Sequence, residues 1–428
     1  MADPVAFLQA LVRAQKDGEA AVQRLVAEAA RALGCTVETV GYRPAEVPMV
    51  AEFAAGPAID TGERESVVAT FRGRGPVRDS GLAGASGRSV IFFAHPDGEP
   101  VPARPGWRHD PFAGTIEGGR LHGWGAADDL AGVAILVQGL QALLESGRAP
   151  AGDVILASTP SKRHARGVSA LLHGGLRADA AVYLHPAESG VGLREIKAFA
   201  SGLLEFEVSV EGRQPDTNEI SHAAFAHTAV NPIDKLWLVH RALQDLDARR
   251  AAVRHPALEA AIGRSTNLLV SHVQAGQPGV YARVPQRAVL SAALSFPPPE
   301  TLPQVQAAVE AAVRAAAEGD PWLRDHPPRI SFVSGVTGAE VAVDHPLYRV
   351  VAEAVRAVTG EAPHVNPLHT SSDIRNPIVQ AGIPTVGLGP LGGNLTQNGL
   401  TDEWVDVEDY RRAVEVAAAV IAGWCGTA

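Results

Sequence analysis

The run SVIFFAHPD at 89–97 constrains the fold more than any other stretch: an unbroken apolar segment that ends on His95 and, two places on, Asp97. An apolar run of that length reads as a strand. A second acid, Asp128, stands where the run GWGAADDLAGVAILVQGLQALL turns into a helix. A histidine and an acid leaving a strand, with another acid at a helix start, suit the seating of a divalent metal. Around this pair the chain alternates. Strands are expected at 66–72, 89–94, 153–158, 180–184 and 385–389, and helices at 129–146, 168–173, 348–358 and 410–424. That rhythm predicts a mostly parallel α/β sheet flanked by helices. Ligands gather at the carboxyl ends of such strands, and His95, Ser161 and His185 each follow one, so they are placed to share a site. Residues 4–34 read as two helices broken near Asp17 and Gly18, and the Gly-, Ser- and Arg-rich stretch 73–87 reads as a loop.

The pattern changes after Gly202. LLEFEVSVEG alternates like a half-exposed strand, NPIDKLWLVHRALQDL is an amphipathic helix, and strands at 266–273 and 288–296 precede a helix at 301–317. This order suits a small antiparallel α+β layer. The expected architecture is thus an α/β unit, 1–202 with 338–428, interrupted by an inserted unit at 203–337. A length of 428 residues accommodates two such units. The net charge of −10 argues against general binding of nucleic acid or anionic membranes. No apolar stretch is expected to reach a membrane span, and MADPVAFLQALVRAQ lacks a signal-peptide layout. Cys35 and Cys425 read as two free thiols in a reducing compartment, which implies a cytoplasmic location.

Five motifs, in order, carry a family resemblance: AHPDGEP, WRHDPFAGTIEGGRLHGWGAADD, HAAFAHTAVNPI, TSSDIRNP and GLTDEWVDVEDY. In these the chain resembles the co-catalytic metal peptidases and deacylases that include aminoacylase, glutamate carboxypeptidase, acetylornithine deacetylase and succinyl-diaminopimelate desuccinylase. The resemblance implies a metal-binding α/β domain carrying an inserted lid that often dimerises, hence a homodimer through that insertion. It makes His95 and Asp128 metal ligands, with Asp128 the bridging carboxylate, and gives Asp97 the task of orienting His95. Arg375 matches the arginine that receives a substrate carboxylate; a structural ion pair is its rival reading. His222 matches the oxyanion-stabilising histidine of the small domain, and Asn231 the asparagine near it.

Three positions depart from the family pattern. Ser161-Lys162 replaces a pair of glutamates, one a general base and one a ligand. His185-Pro186 replaces a Glu-Pro that supplies a ligand, and Gly399 aligns with the last histidine ligand. One metal set survives as His95, Asp128 and His185, imidazole being as good a ligand as carboxylate for zinc. The other set loses both private ligands, and Lys162 brings an ammonium towards the vacated position. The expectation is one divalent ion, zinc first and manganese or iron as alternatives, or none.

A serine hydroxyl does not replace a glutamate base. A bound metal can do without one, His164 or Glu188 can serve as base, or Ser161 beside Lys162 can be a nucleophile. Arg163 and Arg166 add positive charge to the same loop, which with Arg375 points to a small carboxylate-bearing substrate. Two function classes stand. One is a single-metal enzyme acting on a small carboxylate-bearing amide or amine, by hydrolysis or by a repurposed condensation or ring closure. The other is a metal-free protein that keeps the cleft for ligand binding or non-metal catalysis.

Overall fold

The computed structural model describes residues 3–75, 87–101, 106–368 and 372–428. Most of the loop expected over 73–87 and two residues of the TSSDIRNP motif lie outside them. Six strands form the central sheet in the order Thr36–Tyr42, Arg64–Phe71, Val154–Ser158, Val90–Ala94, Ala180–Leu184, Thr385–Leu388. The last four run parallel, and the first two join antiparallel at one edge, so the sheet is mixed. Val90–Ala94, Val154–Ser158 and Ala180–Leu184 are buried at every residue, as strands covered on both faces must be. On one face the helices Ala131–Glu145 and Val407–Cys425 pack together with Pro4–Ala14 and Glu19–Ala32 into the main core. On the other, Ile91, Phe93, Ile155 and Tyr183 meet Leu171 and Ile374. The two N-terminal helices are separated by a tight turn at Gln15–Asp17, and Gly18 takes the left-handed φ of 89° that the change of direction requires.

The helix expected from residue 129 begins regularly at Ala131. Ala126–Leu130 forms an irregular turn in which Asp128 has φ −117° and ψ 79°. Glu403 Oε1 holds that turn by accepting the backbone N–H groups of Ala127 at 2.8 Å and Asp128 at 2.9 Å. Together, Ala126–Glu145 is long and apolar enough to cross a membrane by length and composition, which corrects the expectation that no stretch is. Yet 83% of its most apolar stretch is buried inside the fold. It is the central helix of the main core.

A second sheet is antiparallel throughout, in the order Asn267–Ala275, Arg287–Phe296, Gly202–Glu211, Arg329–Val336, Glu52–Ala54. Residues along Arg287–Phe296 alternate between buried and half-buried. Their inward side chains join those of Pro232–Arg250 and Leu302–Glu318 in a separate core. The last strand of this sheet comes from the N-terminal segment, far from the other four in sequence.

Candidate metal centre and its clefts

His95 leaves the end of Val90–Ala94 and His185 the end of Ala180–Leu184, adjacent parallel strands whose carboxyl ends lie side by side. Asp128 reaches between them from the irregular turn. Its Oδ1 lies 3.0 Å from His95 Nε2 and 3.4 Å from His185 Nε2, and the three residues, all buried, offer ligand atoms within 4.8 Å of one another. Neither contact has hydrogen-bond alignment: among the described residues Asp128 Oδ1 is a buried acceptor with no hydrogen-bond partner, a costly arrangement unless something else satisfies it. A tetrahedral zinc with bonds of about 2.0–2.1 Å separates its ligand atoms by about 3.3 Å. The two separations from Asp128 suit one ion. His95 Nδ1 lies 3.0 Å from the Asp97 carbonyl, a usual support for a ligating imidazole.

The other oxygen, Asp128 Oδ2, is taken by Lys162 Nζ at 2.6 Å, which also bonds Gln397 Oε1 at 3.0 Å. A cation of the chain itself thus sits on the outer side of the carboxylate. The Asp97 carboxylate does more for this loop than for His95. It accepts the N–H groups of Ser161 and Lys162, each at 2.9 Å, and Arg64 Nη2 at 3.0 Å, while standing 3.5 Å from His95 Nδ1. Beyond Lys162, Arg163, His164 and Arg166 all adopt left-handed backbone, φ 53°, 54° and 56°, a conformation that costs bulky residues energy and marks a constrained loop. Ser161 Oγ donates to Asp373 Oδ2.

Burial and charge pull these groups apart. Burial opposes ionisation of Asp128, but the Lys162 ammonium and the two imidazoles hold its carboxyl well below the usual range. Burial also disfavours the His95 imidazolium, and the carboxylates of Asp128 and Asp97 more than offset it, raising the ring above its ordinary value. His185 goes the other way: burial and the Lys197 ammonium lower it to about 3. Lys197 is fully buried, with Nζ 2.7 Å from His185 Nδ1 and 2.6 Å from the Pro186 carbonyl. With Lys197 donating to Nδ1, the ring proton of neutral His185 sits on Nε2, facing Asp128; ligation through Nε2 takes the opposite tautomer.

The depressed His185 pKa has a consequence for stability. The unfolded imidazole takes up a proton near pH 6.5 and the folded one only near pH 3. The stabilisation is therefore complete above the unfolded pKa and is lost as pH falls towards the folded one. In urea melts followed between pH 7 and 4, the acid-side loss of stability is expected to be shallower in His185→Gln than in the unsubstituted protein. An identical slope in both would refute the assignment.

The metal centre opens into a cavity of about 800 Å³ lined by His95, Ser161, Lys162, Tyr183, His185, Glu188 and Asp373, with Ala261 reaching in from the second layer. A second cavity of about 400 Å³ shares Ser161, Lys162 and Asp373 and is lined further by Glu52, Arg163, His164, Arg166 and Arg375. The contacting pair Ser161 and Asp373 lines both cavities. Arg375 is buried and its Nη1 is ion-paired with Glu52. His222 and Asn231 line neither cavity. His222 is buried in the second layer with Nε2 3.1 Å from Arg283 Nη1. Asn231 caps the helix Pro232–Arg250, its Oδ1 accepting Ile233 N–H at 3.1 Å. Gly399, with φ 71°, offers no ligand side chain.

Four residues of this site carry roles that sequence reasoning did not assign: Glu52, Lys197, Asp373 and Glu403. Asp373 and Glu403 stand within quoted motifs, and their acidic side chains were the available signal. Lys197 and Glu52 lie in no motif.

Residues 91–423 match peptidase family M20/M25/M40. A succinyl-diaminopimelate desuccinylase of Methylobacterium radiotolerans is 28% identical over 348 residues, covering 79% of this chain and 81% of that protein. Among solved structures, a tripeptidase of Staphylococcus aureus superposes with a TM-score of 0.69 at 15% identity, covering 98% of this chain and 97% of that one. An M20-family metallo-carboxypeptidase of Sulfolobus solfataricus superposes with a TM-score of 0.68 at 16% identity, covering 98% of each chain. A dinuclear metal-binding M20-family peptidase of Bacillus subtilis gives 0.59 at 16% identity, covering 97% of this chain and 98% of that one. With the family match running through most of its length and the α/β fold shared with these structures, the chain belongs to peptidase family M20/M25/M40, a family of hydrolases.

Proposed function

We propose that this chain hydrolyses the amide bond of a small carboxylate-bearing substrate with a single divalent ion held by His95, Asp128 and His185. The observation that carries the reading is the division of Asp128: Oδ2 is neutralised by Lys162 at 2.6 Å, while Oδ1, without a hydrogen-bond partner among the described residues, faces the two imidazoles. One cation of the chain stands on one side of the carboxylate, and the other side is free to coordinate. When bound, the ion supplies a Lewis acid for the scissile carbonyl. Asp373 is placed to handle the proton. It lines the cavity beside His95 and contacts Ser161, the position at which a carboxylate base is missing. Burial raises its carboxyl above the usual value, against the pull of Ser161 and Arg375. Arg375, with Arg163 and Arg166 in the adjoining cavity, receives the substrate carboxylate. Homodimerisation through the second layer belongs to the same proposal. It is supported by the open edge strand Asn267–Ala275, which exposes Leu269 and Val273.

A second reading, metal-free catalysis or binding, has one observation in its favour. Lys197 on His185 Nδ1 favours the tautomer that points a proton, and not a lone pair, at Asp128. Elemental mass spectrometry on protein purified without chelator and then exposed to zinc, manganese and iron separates the two. One equivalent per chain, lost in His95→Ala, is expected, together with amine release from a panel of N-succinyl and N-acetyl amino acids. The same sample is expected to scatter light as a dimer. No retained metal under any condition would leave only the metal-free reading.

A further inference from the structure

Arg375 opens the helix Arg375–Ala381 on the central sheet, whereas Glu52 belongs to the strand Glu52–Ala54, in register with Val336 on the second sheet. Their ion pair ties the two layers together beside the smaller cavity, and each side chain is only 6% exposed. The pair is a poor use of a guanidinium. Among the described residues, Glu52 Oε2 faces Nη1 without hydrogen-bond alignment, and Arg375 Nε is buried with no hydrogen-bond partner. A carboxylate that approaches arginine freely makes two parallel N–H···O bonds, a geometry Glu52 does not supply from its strand. Buried ion pairs are weak contributors to stability, so holding the fold together does not by itself account for this one. The cavity alongside, about 400 Å³, is lined by Arg163 and Arg166 as well as by the acids Glu205 and Asp373, and has room for a short dicarboxylic acid whose charge the two arginines can meet.

We propose that Glu52 is an internal stand-in for the ligand's carboxylate. It occupies Arg375 in the unliganded protein and is displaced when an acidic ligand makes the two-pronged contact, so that it sets the affinity and selectivity of the second cavity. The inference rests on the reading of Arg375 as a carboxylate receptor and adds the residue that competes for it.

The test is calorimetric titration of succinate into the full-length protein and into Glu52→Gln, Arg375→Met and the double variant. Glu52→Gln is expected to bind succinate roughly tenfold tighter or more than the unsubstituted protein, the scale of one charge-assisted hydrogen bond. Arg375→Met and the double variant are expected not to bind it. Succinate binding retained in Arg375→Met would overturn the reading of Arg375 itself. Loss of binding in Arg375→Met with Glu52→Gln no tighter than the unsubstituted protein would overturn only the role of Glu52. Absence of binding by Glu52→Gln would also overturn that role. Should Glu52→Gln unfold in plain buffer, recovery of its circular dichroism on adding succinate supports the proposal, and no recovery overturns it.

Discussion

Replacing Asp128 with alanine is expected to destabilise the fold by about 3–5 kcal/mol and to abolish metal capture. The carboxylate is buried among two imidazoles and an ammonium. Deleting it leaves Lys162, whose side chain is 12% exposed, without its counter-charge. Burial then works against a charge that the carboxylate had been stabilising. A second substitution makes the argument specific: Lys162→Met in the Asp128→Ala background removes the stranded charge and is expected to recover part of the loss. Denaturant midpoints of the two variants give both numbers. A loss below about 1 kcal/mol, the scale of an exposed pair, would mean that solvent reaches Lys162 and that Asp128 is not the electrostatic centre of the site.

Asp373→Asn is expected to lower kcat on whichever N-acyl amino acid proves to be a substrate by about 10²–10⁴-fold, the usual contribution of a positioned general base. Metal content and melting temperature should stay near those of the unsubstituted protein, because the amide keeps the shape of the carboxyl. Ser161→Ala should cost less, since the serine holds the carboxylate but does not replace it. The pH profile separates the roles. Loss of the acid-side limb in Asp373→Asn marks a base, whereas a uniform drop marks a positioning residue. An unchanged kcat would return the task to Glu188, which lines the same cavity, or to His164 in the adjoining one.

How far such features can be read from sequence depends on whether they are local. Val90–Ala94, Val154–Ser158 and Ala180–Leu184 are continuous apolar runs because both faces of each are covered, and a run of that kind marks itself. Once those strands are placed parallel, the residues just past their ends must converge. The structure does bring His95, Ser161 and His185 to one cavity. Thr36–Tyr42 was missed because an edge strand with half-exposed residues carries Glu and Gly among its valines. Glu52–Ala54 is too short to show any period. Arg329–Val336 interleaves serines on a face that is only partly covered. The cap formed by Asn231 is readable, since asparagine followed by proline is a helix-start signature. Lys197 and Glu52 were beyond reach for a different reason. Each acquires its meaning from a partner brought near by the fold, His185 in one case and Arg375, on another element altogether, in the other.

The strand Glu52–Ala54 also governs how this protein can be cut. It pairs with Ser334–Val336, covering that end of the second sheet's edge. A fragment spanning 203–337 would retain four of the sheet's strands and bare the outer backbone groups of Ser334–Val336. Such an edge recruits foreign strands and aggregates. Transplanting the second layer as a self-contained module therefore calls for carrying residues 52–54 with it on a linker, or for blunting the bared edge with lysine or proline.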